Sequence, residues 1–377
     1  MVREKERIII TGGHVTPALA LIDELEKGTD WEIFFVGRKF AMEGEKQLSF
    51  EYKQIVERKI PFLSITSGRL QRSITRYTLL SLAKIPLGIV QSYRILLRTK
   101  PHIIVSFGGY IALPIALSGW SLGIPIVTHE QTTIPGLANR IIAFLAKKIC
   151  ISWPETQKYF IHNKVILTGN LLRSQMLKKD STPVLHTYKR DILYISGGSL
   201  GSHRINSLIA EILEELLQKF YIVHQCGESS LTHDYDFLVS KKNSLPKKVS
   251  AYYIVRPHFL AEEVAWLFSY SKLVVSRSGA NTISELAYME KPALLLPLPH
   301  AGASEQYANA QRLVSIGMAE LIEDDKLTAE SLFKTIIYMI QRIHTYEKNA
   351  HQAKSWINPH AAQDMVSILQ STFNKTA

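Results

Sequence analysis

LVVSRSGANTISELAYMEKPALLLPLPHAGASEQYANAQ, residues 273–311, reads as strand, glycine turn, helix, strand, polar loop and the start of a second helix. That is half of a nucleotide-binding α/β unit. Residues 273–276 are a short apolar, β-rich run, and Ser278-Gly279-Ala280 is a small-residue turn that lets backbone approach a ligand closely. From Thr282 to Met289 the spacing puts Ile283, Leu286 and Ala287 on one helix face. The N-terminal amides then point above the strand end, where an anion is the natural guest. Glu285, one turn in, is placed to accept hydrogen bonds from a ribose diol. Residues 294–298 form a second buried run, and 299–306 a polar loop at its carboxyl end, the edge at which open α/β sheets bind ligands. A glycine turn chosen for packing alone reads the same way, so the rest of the chain has to decide.

The pattern recurs. Ile8-Ile9-Ile10 runs into Thr11-Gly12-Gly13-His14 and an apolar helix start, making an anion-accepting amide nest or a tight turn that His14 caps. Ile192 to Ile195 leads into Ser196-Gly197-Gly198-Ser199, where the Ser199 hydroxyl can reach a phosphate oxygen. Residues 103–128 carry no Asp, Glu, Lys or Arg, a length that could span a bilayer. Gly108-Gly109, Pro114, Gly119, Gly123 and Pro125 instead break it into strand 103–107, helix 113–122 and strand 125–128. A helix over 139–148 is expected to end on Lys147 and Lys148, where cations suit the helix dipole. Further strands are expected at 31–37, 221–227 and 251–255, and helices at 329–344 and 361–373. His224 and Cys226 read as buried structural residues, with no metal partner at ligand spacing, and Asp234-x-Asp236 lies in a polar stretch rather than at a strand end.

At 377 residues the chain has room for two ordinary domains, and 46% hydrophobic with 20% charged residues is an ordinary globular composition. Two distant cysteines offer neither a disulfide framework nor zinc spacing, so a reducing cytoplasm is expected, and MVREKERIIITGG has no secretory pattern. The net charge of +11 is one-sided: residues 1–168 hold 22 Lys and Arg against 13 Asp and Glu, a balance of +9. Between Glu57 and Glu130 there is no acid and there are nine bases, many interleaved with apolar residues over 69–100. Such a field suits an acidic partner, and the interleaving suits a lipid surface as well as a core-facing helix.

The ordered set SRSGA-x-T-x-SE at 276–285, EQ-x-x-NA at 305–310, TGGH at 11–14, SFGGY at 106–110, HEQ at 129–131 and GN-x-x-R at 169–173 resembles the GT-B glycosyltransferases. Among these it looks most like the MurG family, the N-acetylglucosaminyltransferases that complete the lipid-linked disaccharide of peptidoglycan. The family's first loop is usually the longer GGTGGH, and its HEQ is followed by Asn where this chain has Thr132. The resemblance implies an α/β GT-B fold, two Rossmann-like parallel-sheet domains facing across a cleft. Residues 1–168 would be the acceptor and membrane-facing domain, with a C-terminal helix in 356–377 packing back on it, and 169–355 the donor domain.

It further implies an inverting transfer from UDP-N-acetylglucosamine to the 4-hydroxyl of N-acetylmuramoyl-peptide on a polyprenyl pyrophosphate. The setting would be the cytoplasmic face of the membrane, peripherally bound, with no obligatory metal or cofactor. His14 and Glu130 are then the catalytic candidates. Thr11, Gly12, Gly13, Thr132, Arg173, Ser199, Ala280, Asn281, Thr282, Ile283, Ser284, Glu285 and Gln306 are expected to bind the nucleotide sugar. Arg69, Arg72, Arg76, Leu79 and Leu80 are expected at the membrane and acceptor side. A glycolipid synthase with a diacylglycerol acceptor, or a non-catalytic nucleotide-sugar-binding homologue, are the competing readings; no nucleic-acid module is present.

Overall fold

Runs such as Ile8-Ile9-Ile10 are apolar at every position, and strands covered by helices on both faces require this. All three side chains are fully buried: Ile8 and Ile10 face one core layer, Ile9 the other. The computed structural model describes residues 5–40, 48–66, 78–178, 182–185, 189–198, 200–229, 231–299 and 305–374, with side chains in the third stretch from residue 86.

Two compact units result, dividing after Arg173 and again after Ile357. In the first, β1 (Arg7–Thr11), β2 (Glu32–Gly37), β3 (Phe62–Ser64), β4 (Ile103–Ser106), β5 (Ile126–Glu130), β6 (Lys148–Ile151) and β7 (Val165–Leu167) form one sheet in the order β3-β2-β1-β4-β5-β6-β7. In the second, β8 (Ile192–Ser196), β9 (Tyr221–Gln225), β10 (Tyr253–Arg256), β11 (Ser271–Ser276), β12 (Ala293–Leu295) and β13 (Ala319–Leu321) follow the order β10-β9-β8-β11-β12-β13. Every pairing within the two sheets is parallel. This is the doubly wound order of Rossmann-like domains, twice over. The strand order reverses between β1 and β4 and between β8 and β11, and ligands of such sheets bind outside the carboxyl ends there.

The unit boundary lies five residues later than the 168/169 division drawn from the sequence, for a local reason. Leu171 is in the core of the first unit, and the His129 ring meets the Gly169 carbonyl at 2.9 Å. Asn358 Nδ2 donates to the Thr168 carbonyl, and the helix Ala361–Asn374 lies on the helix Val15–Gly28, adding Ala361, Met365 and Leu369 to the same core.

Some local expectations need correction. The helix expected over 139–148 is Leu137–Leu145, and Lys147 and Lys148 are not in its last turn. Lys148 opens β6, whose Ile149-Cys150-Ile151 pairs with β5, so burial beside a strand overrides helix continuation. Asp234 and Asp236 are in the first turn of the helix Asp234–Ser244. The tail after residue 311 holds β13 and the helix Ile343–Lys354 in addition to the helices expected. Cys150 and Cys226 are both buried and free.

Leu369 is fully buried on the returning helix. Leu369→Ala is expected to cost about 2–5 kcal/mol, the usual scale for a buried leucine truncation. Hydrogen exchange of the β1 and β4 amides checks this, with the second unit's strands as internal control. Equal loss of protection in both units would contradict the placement of the helix.

Candidate active site

At the reversal point of the first sheet, the turn after β1 meets the turn after β4. Gly13 has φ +129°, and a Cβ on it would lie 2.4 Å from the Gly108 carbonyl oxygen, so only glycine fits. His14, the next residue, takes the N-cap position of the helix Val15–Gly28 but makes no capping hydrogen bond with its side chain. Its Nδ1 instead lies 3.0 Å from the Phe107 carbonyl. A carbonyl only accepts, so the neutral ring carries its proton on Nδ1 and offers Nε2 as an open lone pair.

The expected anion nest at Gly12-Gly13 is already filled, by the chain itself. Glu51, 9% exposed, points its carboxylate into the turn. Oε1 accepts from the Arg38 amide at 2.6 Å, and the Gly13 amide lowers the pKa of the same carboxylate. Burial raises the pKa of this carboxyl, opposed by those amides and by the Arg38 charge. Thr11 ends β1 fully buried, its hydroxyl without a hydrogen-bond partner among the described residues.

Glu130 and Thr132 also differ from expectation. Glu130 is 3% exposed; its Oε1 accepts from the Thr132 amide (2.9 Å) and hydroxyl (2.7 Å), and its Oε2 from Asn139 Nδ2 (2.6 Å). Buried and engaged by three donors, this carboxylate orients the loop after β5. Thr132, 2% exposed, turns its hydroxyl inward and does not present it to a ligand. Its amide and hydroxyl both serve Glu130, while Asn139, which the sequence did not flag, ties Glu130 to the turn after β4. The Asn139 carboxamide lies about 3.0 Å from where a Cβ on Gly108 would be. Beside it, His129 is fully buried, and desolvation holds its pKa down to about 4, so the ring stays neutral.

In the second unit the corresponding turns are Gly197-Gly198 and Ser278-Gly279. Gly279 caps the helix Ala280–Tyr288 with no side-chain cap, and a Cβ on it would meet nothing within 4 Å. The amides of Ala280, Asn281 and Thr282 occupy the first helical turn, where backbone donors have no intrahelical acceptor. Of the residues expected here, Asn281 and Thr282 are half-buried, whereas Ile283 and Ser284 face inward. Ser284 donates its hydroxyl to the Ala280 carbonyl at 3.0 Å. Those two side chains pack the helix. Glu285 is 3% exposed in the following turn. Gln306 accepts from the Leu298 amide at 2.9 Å and, through its own carbonyl, from the Ser278 hydroxyl at 2.8 Å, holding the loop after β12 against the turn after β11.

Arg277, absent from the expected set, organises this end of the sheet. It is 9% exposed and donates to the Leu296 and Pro297 carbonyls (2.9 and 3.1 Å) and to Ser202 Oγ (2.8 Å). Burial lowers its pKa, and Asp324 at 3.8 Å counters this. Its signal in the sequence was a lone cation between two serines at a strand end. Ser276 Oγ and Asn309 Oδ1 are buried without a partner among the described residues; such unmet atoms gather at ligand sites. Arg173 is half-buried at the end of the first unit. Ser199, Arg69, Arg72 and Arg76 lie outside the described residues, as do the side chains of Leu79 and Leu80.

Residues 9–151 match the glycosyltransferase family 28 N-terminal domain and residues 192–365 the family 28 C-terminal domain. The chain is 32% identical over 358 residues to the UDP-N-acetylglucosamine–N-acetylmuramyl-(pentapeptide) pyrophosphoryl-undecaprenol N-acetylglucosamine transferase of Lachnospira eligens, covering 93% of this chain and 95% of that one. It is 31% identical to the protein of the same name from Geobacillus kaustophilus, over 98% and 99% of the two chains. Among solved structures it is similar to Acinetobacter baumannii MurG, with a TM-score of 0.66 and 25% identity over 97% and 99% of the chains.

Behind the second unit's glycine turn, His224 is fully buried between Tyr253 Oη and Asn206 Oδ1, each at 3.0 Å, and desolvation lowers its pKa from 6.5 to about 3. Between those two values the unfolded chain binds a proton that the folded chain refuses. Stability of this unit is therefore expected to fall as pH drops below about 6.5, by up to roughly 1.4 kcal/mol per pH unit, and to be flat in this respect above it. Hydrogen exchange of β8 and β9 at pH 7 and pH 5 measures the slope. His224→Gln should flatten it, and an unchanged slope in that variant would contradict the assignment.

Proposed function

The chain belongs to the MurG branch of glycosyltransferase family 28, and from that membership we propose its reaction. It transfers N-acetylglucosamine from UDP-N-acetylglucosamine to the 4-hydroxyl of an N-acetylmuramoyl-peptide carried on a polyprenyl pyrophosphate, a step of peptidoglycan synthesis. The observation that carries the mechanism is the fixed His14 tautomer. With Nδ1–H donated to Phe107, Nε2 accepts the proton of the acceptor hydroxyl as that oxygen forms its bond to the anomeric carbon. The bond from the anomeric carbon to the β-phosphate oxygen breaks, and its electron pair leaves with UDP. One displacement inverts the anomeric centre.

The donor belongs to the second unit in this proposal. The diphosphate takes the amides at Ala280–Thr282 and the Gly198 turn, where donors already aimed at the anion need no reorganisation as charge develops. Glu285 takes the ribose and Gln306 the sugar hydroxyls.

Attachment to the cytoplasmic face of the membrane is part of the same proposal, through the first unit. Among the described residues no helix is long and apolar enough to cross a bilayer. Trp120 and Phe144, 58% and 71% exposed, border an open cavity of about 640 Å³ together with Lys147, Lys148 and Lys164. Exposed aromatic rings beside lysines suit a lipid interface with anionic headgroups.

A labelled-sugar transfer assay with lipid-linked acceptor tests the reaction. His14→Ala should lower turnover on the order of a hundredfold or more, with donor affinity nearly unchanged. Near-normal turnover at saturating substrates would make His14 structural. In calorimetry, Glu285→Ala should weaken UDP-N-acetylglucosamine binding by about 1–3 kcal/mol, and unchanged affinity would remove Glu285 from the ribose site. Sedimentation with anionic vesicles should show binding that declines as salt rises. Equal binding to neutral vesicles, or none to either, would count against membrane attachment by charge.

A further inference from the structure

We propose that Glu51 is a positioning residue for the transfer: its carboxylate is a built-in anion that occupies the first glycine turn and holds His14 in place, so the acceptor's pyrophosphate is bound elsewhere. The inference rests on the reading of His14 as proton acceptor. Two glycines shape the pocket for this carboxylate. A Cβ on Gly12 would lie 2.6 Å from Glu51 Oε2, and one on Gly37 would lie 2.9 Å from Oε1. The Arg38 amide, at the end of β2, donates to the group, and the Gly13 amide, just past β1, lowers its pKa.

Glu51 is brought there by its own short helix. Ser49 caps the helix Phe50–Glu57, accepting from the Tyr52 amide at 3.1 Å and donating to the Arg38 carbonyl. Arg38 is thus held by its amide through Glu51 and by its carbonyl through Ser49. The rings of Phe35, Phe62 and Tyr52 pack in sequence, with centroids 5.7 and 5.0 Å apart, and Phe35 borders the same glycines. In that dry setting a carboxylate bonds backbone amides far more strongly than in water.

The turn carrying His14 is therefore clamped from two strands. Glu51 holds it from the side of β2, while the Gly108 carbonyl and the Phe107 acceptor hold it from the side of β4. A phosphate entering the turn would meet a buried carboxylate, so this loop is not where an anionic substrate is taken. Removing the carboxylate leaves the Arg38 amide unmet and empties the space beside Gly12 and Gly37, and the turn relaxes to fill it. His14, adjacent to Gly13, moves with it.

The test compares Glu51→Ala, Glu51→Gln and His14→Ala, with the Glu51→Ala/His14→Ala double variant, in the full chain. Glu51→Ala should lower kcat by about 30–100-fold, the scale of a misplacement near 1 Å, and leave donor affinity within about twofold. Glu51→Gln, which keeps shape and one acceptor, should lose less. The double variant should turn over no more slowly than His14→Ala, because both changes remove one contribution. Formate should restore turnover to Glu51→Ala and not to His14→Ala. Independently of sugar transfer, the His14 Nδ1–H proton signal in NMR should be lost in Glu51→Ala and return with formate. Its persistence in the variant overturns the inference, as do additive losses in the double variant or wild-type turnover. Tighter binding of inorganic pyrophosphate with turnover kept also overturns it, showing an anion site that Glu51 merely blocks. If Glu51→Ala does not fold, Glu51→Gln carries the same comparisons. A wild-type chain that transfers no sugar refutes the proposed reaction and leaves the NMR outcome to decide the role of Glu51.

Discussion

The approach of Gly13 to the Gly108 carbonyl, closer than any side chain allows, is the constraint from which the first unit's site is built. Two parallel strands that neighbour at the reversal of a doubly wound sheet send their following helices to opposite faces, so their turns must pass each other at the sheet edge. With glycine on both sides, backbone can touch backbone, and the carbonyl of Phe107 comes within reach of the His14 ring. A methyl group at residue 13 would separate the two turns and remove the acceptor that sets the imidazole's tautomer. The second unit uses the same device between Gly201 and the end of β9, where a Cβ would fall 2.1 Å from the Cys226 carbonyl.

Around these contacts, most buried polar side chains serve the loops and not a ligand. Glu130 is bound by Thr132 and Asn139, and Arg277 by two carbonyls and Ser202. Loop backbone at a sheet edge has donors and acceptors that no ladder satisfies, and each left unmet in a buried place costs free energy comparable to a lost hydrogen bond. Side chains that meet this demand make the loops rigid before any substrate arrives. A preorganised site of that kind stabilises developing charge without having to rearrange for it.

Most strand positions, the parallel doubly wound class and the glycine turns were legible in the chain itself. Runs such as Ile8-Ile9-Ile10 and the uncharged 103–128 can only be satisfied between two helical layers, and Gly at a strand end has few other uses. β3, β6, β7 and β13 were not legible, because Phe62-Leu-Ser, Lys148-Ile-Cys-Ile, Val165-Ile-Leu and Ala319-Glu-Leu are short and acquire strand form only from the neighbours they pair with. The direction of polar side chains was the other gap. Thr132, Ser284 and Glu130 sit where the family pattern places site residues, yet Thr132 and Glu130 turn to their own loop and Ser284 to its own helix. Glu51 lies in a helix with no motif about it, and reaches the Arg38 amide 13 residues away. Spacing along a chain determines periodicity and hence which elements form; which hydrogen-bond partner a buried carboxylate or guanidinium meets depends on segments far apart in sequence, and only packing brings those together.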